Sequence, residues 1–597
     1  ISRWWPSILF AVALAGFGAW WIRQEESHSQ FPIVILILLI LGLQLALLYA
    51  DRPNVGAELV DRTLSKASNG YVATAGELSD LNETLRNFPA IMPAFDNDHA
   101  RTHPPGFIVA HSLTDRLLQR SPMLAQRLAR PVTYWRCTDL WVLSRPASSA
   151  ASLLIWSWIP SIMAALIVIP AHRLARRWFA PVPARMATLL VASLPALLIF
   201  VPSADQLFAC LSLLSLLLLV AGLGEQRPAL VLLSGIIVSL MSFLSLGNVA
   251  WAALLGAYTL LWLFWPAQSP VKGFGEAGML QRRLAPAASY LLGAASFWLV
   301  YWLGWGVAPW EIARVGLEQH HELVTSLRRY DWWLGYNLID LLLFAGLPVA
   351  LGLLWRATEG FGDKAHLRDD GRIAVLLVAL LLAINLAGTT RGEVGRLWLV
   401  FMPTAAVIAG GMFGRRITDR PGLWLLLAAQ IVLVLSIALA WRPFFAVILP
   451  VERPAMVASG PAVPLDVSFL TPDNRQIQLS GYTIGGLDFA LRSPLEVTLH
   501  WQSDGPTLGP YVAFVQLLSS DGTMIAQHDA WPVGGAWPTT CWINGEAVID
   551  RHQIDLPDEA ESGRYKLIAG LYDAAGGDRL VASNGADAIE LLEIAFP

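Results

Sequence analysis

Long apolar runs constrain this chain more than any other feature. A run of about 18 residues or more crosses roughly 30 Å of hydrocarbon as a helix. Such runs occupy 4–22, 31–50, 149–171, 183–201, 205–223, 228–246, 248–266, 286–305, 333–355, 373–389, 396–414 and 422–442. Backbone N–H and C=O groups in lipid must bond within the segment. The runs therefore predict a polytopic α-helical membrane protein with about 11–12 transmembrane helices. Only 14% of the 597 residues are charged, against roughly 25% in soluble domains, which agrees.

The short connections set the orientation. Arg173, Arg176, Arg177 and Arg185 flank one, and Lys272, Arg282 and Arg283 lie in the next. Arg356, Lys364, Arg368 and Arg372 follow, then Arg415, Arg416 and Arg420. All fall on one side of the threading, which the positive-inside rule makes cytoplasmic. The other side then holds 51–148, the Pro202–Asp205 turn, 306–332, 390–395 and everything after about 445. A multi-pass plasma-membrane protein with an extracytoplasmic C-terminal domain is expected. Ile1 also falls outside, as expected if a further helix precedes it.

The domain reading is a transmembrane hairpin at 1–50, a large extracytoplasmic loop at 51–148, a helix bundle at 149–445, a linker at 446–462 and a β-sandwich at 463–597. Within the loop, Val55–Lys66, Gly76–Phe88 and Phe107–Leu118 have apolar residues at helical spacing and predict amphipathic helices. After 463 the segments Glu496–Trp501, Val512–Leu518, Tyr565–Tyr572 and Ile589–Ile594 are short and β-branched or aromatic, with turn residues between them. That pattern predicts an all-β sandwich. Of Trp501, Trp531, Trp537 and Trp542, at least half are expected in its core, and the others could stack on sugar rings. Cys137, Cys210 and Cys541 are too few and too scattered to predict a disulfide framework or a metal cluster. No strongly basic domain is present, which argues against nucleic acid as a partner.

Chemistry concentrates between Ala94 and His111, which hold Asp96, Asp98, His99, Arg101, His103 and His111 around a Pro104-Pro105-Gly106 turn. Asp96 or Asp98 could act as a general base on an attacking hydroxyl. The pair could instead bind a divalent cation with His99 or His103. Arg101 and the imidazoles could neutralise a phosphate. A solvated loop is the plainer alternative. A second constellation runs from Thr389 to Trp398, where Arg391, Glu393 and Arg396 lie at the head of a span. Ionisable residues there are costly and usually face a cavity, so they suit a phosphate clamp or an interfacial ion pair. In a third, Glu318, His321 and Glu322 would share a helix face, read as an amphipathic surface helix before a metal site. Asp205 reads equally as a helix N-cap or a site residue.

The layout resembles the GT-C superfamily of integral-membrane glycosyltransferases, in an uncharacterised bacterial branch akin to mannosyl- and arabinosyltransferases. His99-Ala100-Arg101-Thr102-His103-Pro104-Pro105-Gly106 looks like that branch's His/Pro-Pro-Gly motif, and Gly392-Glu393-Val394-Gly395-Arg396-Leu397-Trp398 looks like its second motif. The likeness covers most of 31–445 and leaves the β domain outside. It implies inverting transfer of a sugar from a polyprenyl-phosphate donor to a hydroxyl of a glycan or protein acceptor, on the extracytoplasmic face. It implies Asp96 or Asp98 as base and Arg396 as phosphate partner. Family members usually place an acidic residue directly after the span that opens the loop, and here that is Asp51. His99, Arg101, His103, Glu393 and Arg391 complete the expected substrate contacts. The competing expectation is a non-catalytic membrane subunit whose β domain binds a partner protein or a surface glycan.

Overall fold

Eight helices among the described residues are long and apolar enough to cross a bilayer: Trp5–Arg23, Phe31–Asp51, Ala147–Trp178, Ala204–Gly224, Leu246–Phe264, Arg283–Trp305, Asp369–Ala387 and Arg420–Ala440. In this computed structural model, residues 2–24, 31–265, 276–362, 368–441, 453–454, 460–485, 494–555, 563–574 and 576–596 are described. Lys272, Lys364 and most of the 446–462 linker lie outside them. The helices make this a multi-pass membrane protein.

Eight of the twelve expected runs form such helices, and among the described residues the other four are shorter or broken. The 183–201 run divides into Pro181–Ala192 and Pro195–Ile199, because the residue before a proline is driven out of helical geometry, and Leu194 sits at φ −61, ψ 121. The 228–246 run gives Pro228–Leu244, of 17 residues. The 396–414 run is continuously helical only over Met402–Arg416. The 333–355 run bends by 109° between Tyr330–Ala345 and Leu347–Glu359, at Gly346 with φ +89, and counts as a ninth span only if the two pieces are one. Apolar composition alone does not reveal such breaks.

The chain forms two compact units: Ile1–Leu113 with Ile155–Val447, and Thr114–Leu154 with Ile448–Pro597. In the first, small residues let helices touch through their backbones. A Cβ at Gly410 would lie 2.4 Å from Ala187 Cα, and one at Gly293 would lie 2.4 Å from the Leu232 carbonyl. The segment after Phe31–Asp51 starts with the amphipathic helix Val55–Leu64, capped by Asn54. The single helix expected over Gly76–Phe88 is instead Tyr71–Glu77 and Leu81–Arg86, because Asp80 accepts from the Asn82 and Glu83 amides and starts a new helix.

The second unit carries two four-stranded antiparallel sheets. Its strands are β1 Val463–Leu470, β2 Gln476–Gly485, β3 Leu495–Ser503, β4 Tyr511–Ser519, β5 Met524–Ala530, β6 Ala547–Ile554, β7 Gly563–Asp573 and β8 Ile589–Phe596. The sheet orders are β1-β2-β3-β6 and β5-β4-β7-β8. Trp501, Trp537 and Trp542 are buried in the core, so these three cannot stack on a sugar; Trp531 is half-buried.

The reading of the cysteines needs correction: Cys137 and Cys541 form a disulfide across a sequence separation of 404. Cysteine spacing cannot report a pair that only tertiary folding brings together. The Thr540 hydroxyl also donates to the Cys137 carbonyl at 2.8 Å. Cys541→Ser is expected to destabilise this unit by about 2–5 kcal/mol. Faster hydrogen exchange in β3 and β6 would register the loss, and unchanged protection would contradict it.

Candidate functional site

The histidine-rich stretch is held by a buried asparagine. The Asn97 side chain caps the helix Asp98–Thr102 by accepting from the His99 amide at 2.9 Å. Its amide group donates to the Asn69 carbonyl at 3.1 Å and the Thr74 hydroxyl at 3.3 Å. Pro104 and Pro105 end the helix, and Gly106 lets the chain pass the next element closely. A Cβ there would lie 2.4 Å from the Phe243 carbonyl oxygen. His99 and His103 flank the Tyr71 ring at centroid distances of 6.2 and 6.4 Å, and Phe107 stacks on it at 4.8 Å.

The second motif forms a tight turn. Gly392 (φ +92) and Glu393 (φ +59) both lie in the left-handed region, which is a strained state for a glutamate. Asn337 offsets the strain by accepting from the Gly392 amide at 3.0 Å and donating to the Thr390 carbonyl at 2.8 Å. The turn aims Glu393 and Arg396 together, 2.8 Å apart, and Arg328 bonds the other Glu393 oxygen at 2.8 Å.

Arg396 is the meeting point. Its Nε lies 3.5 Å from Asp205 and has no hydrogen-bond partner among the described residues. Asp205 in turn accepts from the Ser203 hydroxyl at 2.7 Å. The N-cap is Ser203, in a capping box with Gln206, which leaves the Asp205 carboxylate to the arginine. Burial, then the charges of Arg396 and His103, push His99 down to about 3. Burial does the same to His103, to about 4, with Arg396 and His320 adding to it. Burial opposes ionisation of Glu393, but Arg396 and Arg328 outweigh it and hold its carboxyl below the usual range. Burial and the charge of Asp205 raise the Tyr71 hydroxyl, which stays neutral. The centre thus offers one partly free guanidinium, two neutral imidazoles and two carboxylates.

A pH dependence follows from these histidines. A His whose folded value lies below its unfolded value stabilises the fold above the unfolded value, and that stability is lost as pH falls. His99 and His103 together with His111, pushed by burial to about 3, are therefore expected to lower the unfolding temperature progressively below about pH 6.5. His103→Gln should flatten part of that slope. A wild-type profile flat from pH 7 to pH 4.5 would contradict it.

The other expected residues lie elsewhere. Asp96 is exposed and paired with Lys66. Asp98, with a side chain 72% exposed, is 3.7 Å from Arg101. Arg101 forks onto Gln319 at 3.1 and 2.8 Å. Arg391 is spent on the Thr325, Arg328 and Gly388 carbonyls. Asp51 ends its helix 3.2 Å from Arg62 and lines a cavity of about 50 Å³ with Trp4, Gln44, Val201 and Trp441. Arg62 also bonds Glu58 and, at 2.6 Å, the Val201 carbonyl. The 201–205 turn therefore has Asp51 and Arg62 at one end and Asp205 and Arg396 at the other. The α-helix Pro309–His320 passes into a π turn at His321, with Glu318 facing Arg314 and Glu322 accepting from Gln319. Among the described residues no group of three His, Cys, Asp or Glu is spaced to hold a metal ion. Tyr71 and the pairing of Asp205 with Arg396 were not singled out from sequence. The Ser203-x-x-Gln206 box was the available signal, since it assigns the cap to Ser203 and frees Asp205.

Fold and site together define a multi-pass helical membrane protein with an ionic centre at the ends of its helices and a β unit joined to it. No family model and no curated protein matches the chain. Among solved structures it is similar to a crystal structure of an Archaeoglobus fulgidus oligosaccharyltransferase with Zn and sulfate, at 13% identity and TM-score 0.34, over 60% of this chain and 48% of that one. It is also similar to the oligosaccharyltransferase AglB of Archaeoglobus fulgidus in complex with an inhibitory peptide and a dolichol-phosphate, at 13% identity and TM-score 0.38, over 69% and 56%. The chain spans about half the length of these structures.

Proposed function

We propose that this protein transfers a sugar from a polyprenyl-phosphate donor to a hydroxyl of a glycan or protein acceptor, with inversion, on the extracytoplasmic face. The observation that carries the proposal is the convergence on Arg396 of Asp205, Glu393, His99 and His103, drawn from three distant segments. Arg396 supplies the positive charge that meets the donor phosphate, while Arg328 keeps Glu393 paired. Neutral His99 and His103, whose ring N–H groups donate to the Ala67 and Thr102 carbonyls, line the centre without adding charge.

Inversion requires the base on the face of the sugar opposite the leaving phosphate. Asp205, ion-paired to Arg396, is on the wrong side for that role and positions the arginine instead. Asp96 and Asp98 have side chains 60% and 72% exposed to solvent, against 18% for Asp51. Asp51, sheltered beside a cavity at the far end of the 201–205 turn, is the first-loop carboxylate we assign as base. The acceptor oxygen bonds to the anomeric carbon as its proton passes to Asp51. The carbon–oxygen bond to phosphate breaks, and its electron pair leaves on the polyprenyl phosphate, stabilised by Arg396. The Cys137–Cys541 disulfide supports an oxidising compartment for the second unit. Purified full-length protein in nanodiscs, given a labelled polyprenyl-phospho-sugar and a peptide or glycan acceptor, tests the reading. Transfer that fails in Arg396→Ala and Asp51→Asn supports it, and transfer undiminished in both sinks it.

A further inference from the structure

A second cluster of charge lies at the helix ends around Asp370, away from the residues above. Asp370 is 1% exposed and is met by Arg356 at 2.9 Å, Arg415 at 3.4 Å and Arg368 at 3.8 Å. Arg416 and, at 3.7 Å, Arg356 share Glu359. Arg372 has a buried Nη1 without a hydrogen-bond partner among the described residues. Arg356, Arg368, Arg372, Arg415 and Arg416 thus stand against Glu359, Asp369 and Asp370, which leaves two positive charges uncompensated (5 − 3 = 2).

Geometry adds to the excess. Arg368 and Arg415 both donate to the Trp178 carbonyl oxygen, so two like charges are held side by side. Arg415 also lies over the Phe179 ring, 4.4 Å from its centroid. Both guanidiniums keep an open side, with side chains 59% and 33% exposed. Trp178 ends one candidate span and Asp369 begins another, so the cluster sits at the depth of lipid headgroups. A phosphate oxygen pair matches the fork geometry of adjacent arginines.

We propose that Arg368 and Arg415 form a site for the phosphate of an anionic lipid headgroup. The site is independent of sugar transfer. The test uses the full-length protein in nanodiscs and compares purely zwitterionic phosphatidylcholine, phosphatidylcholine with phosphatidylglycerol, and phosphatidylcholine with inorganic phosphate in the buffer. The readouts are thermal unfolding and the phosphatidylglycerol retained after detergent extraction. Phosphatidylglycerol should raise the unfolding temperature and be retained by wild type. Arg368→Gln should lower retention about fivefold, and Arg368→Gln with Arg415→Gln still further. Arg368→Gln alters a mostly exposed side chain, so the outcome does not depend on the double variant folding. Arg314→Gln, far from the cluster in sequence and 77% exposed at its side chain, should retain lipid as wild type does. Equal retention in wild type and Arg368→Gln overturns the proposal. So does an equal rise in unfolding temperature with inorganic phosphate alone, which would make this a free-anion site.

Discussion

Arg396→Ala is expected to lower sugar transfer by about 10²–10³-fold, the usual cost of removing one preorganised donor to developing negative charge. The size follows from the position of the guanidinium. It has a side chain 17% exposed and two carboxylates that hold it in place before any donor arrives. The substitution also strands Asp205, whose remaining side-chain partner is the Ser203 hydroxyl among the contacts described, so a folding control is needed. Arg396→Lys provides it. Lysine keeps the charge but not the fork, and should recover part of the rate with little change in unfolding temperature. A fully active Arg396→Lys with an inactive Arg396→Ala would point to a structural ion pair.

Asp51→Asn is the second large effect. Loss of a general base typically costs about 10²–10⁴-fold. Asparagine keeps the shape of the side chain and can still accept from Arg62, so the protein should fold and bind donor normally while kcat collapses. Asp98→Asn and Asp96→Asn should leave kcat within about threefold, since exposed ion pairs with Arg101 and Lys66 contribute little. Asp205→Asn should fall between, through loosened positioning of Arg396, and should raise KM for the donor. If Asp98→Asn were inactive while Asp51→Asn retained full activity, the base would belong to the histidine-rich helix.

Particular residues show how far the sequence could be read. The apolar runs and the alternation after 463 announced helices and strands because both follow from periodicity and burial. Helix breaks at Leu194–Pro195 and Gly346 are marked in the sequence only by a proline and a glycine, which the length of an apolar run passes over. His99, His103, Glu393 and Arg396 were legible as dense polar residues in lipid-rich surroundings. Their meeting with Asp205 was not, because it depends on how separate helix ends converge. The Cys137–Cys541 bond was invisible for the same reason, with both partners isolated in sequence. Arg391 misled because its neighbours share its motif, although its donors are consumed by the turn itself.

The most direct measurement is an experimental structure of the full chain in nanodiscs with a polyprenyl phosphate bound. The account predicts the phosphate within about 3 Å of the Arg396 guanidinium, with Glu393 still on Arg328 and Asp51 across the 201–205 turn. A phosphate bound away from Arg396 in the presence of saturating lipid would contradict it.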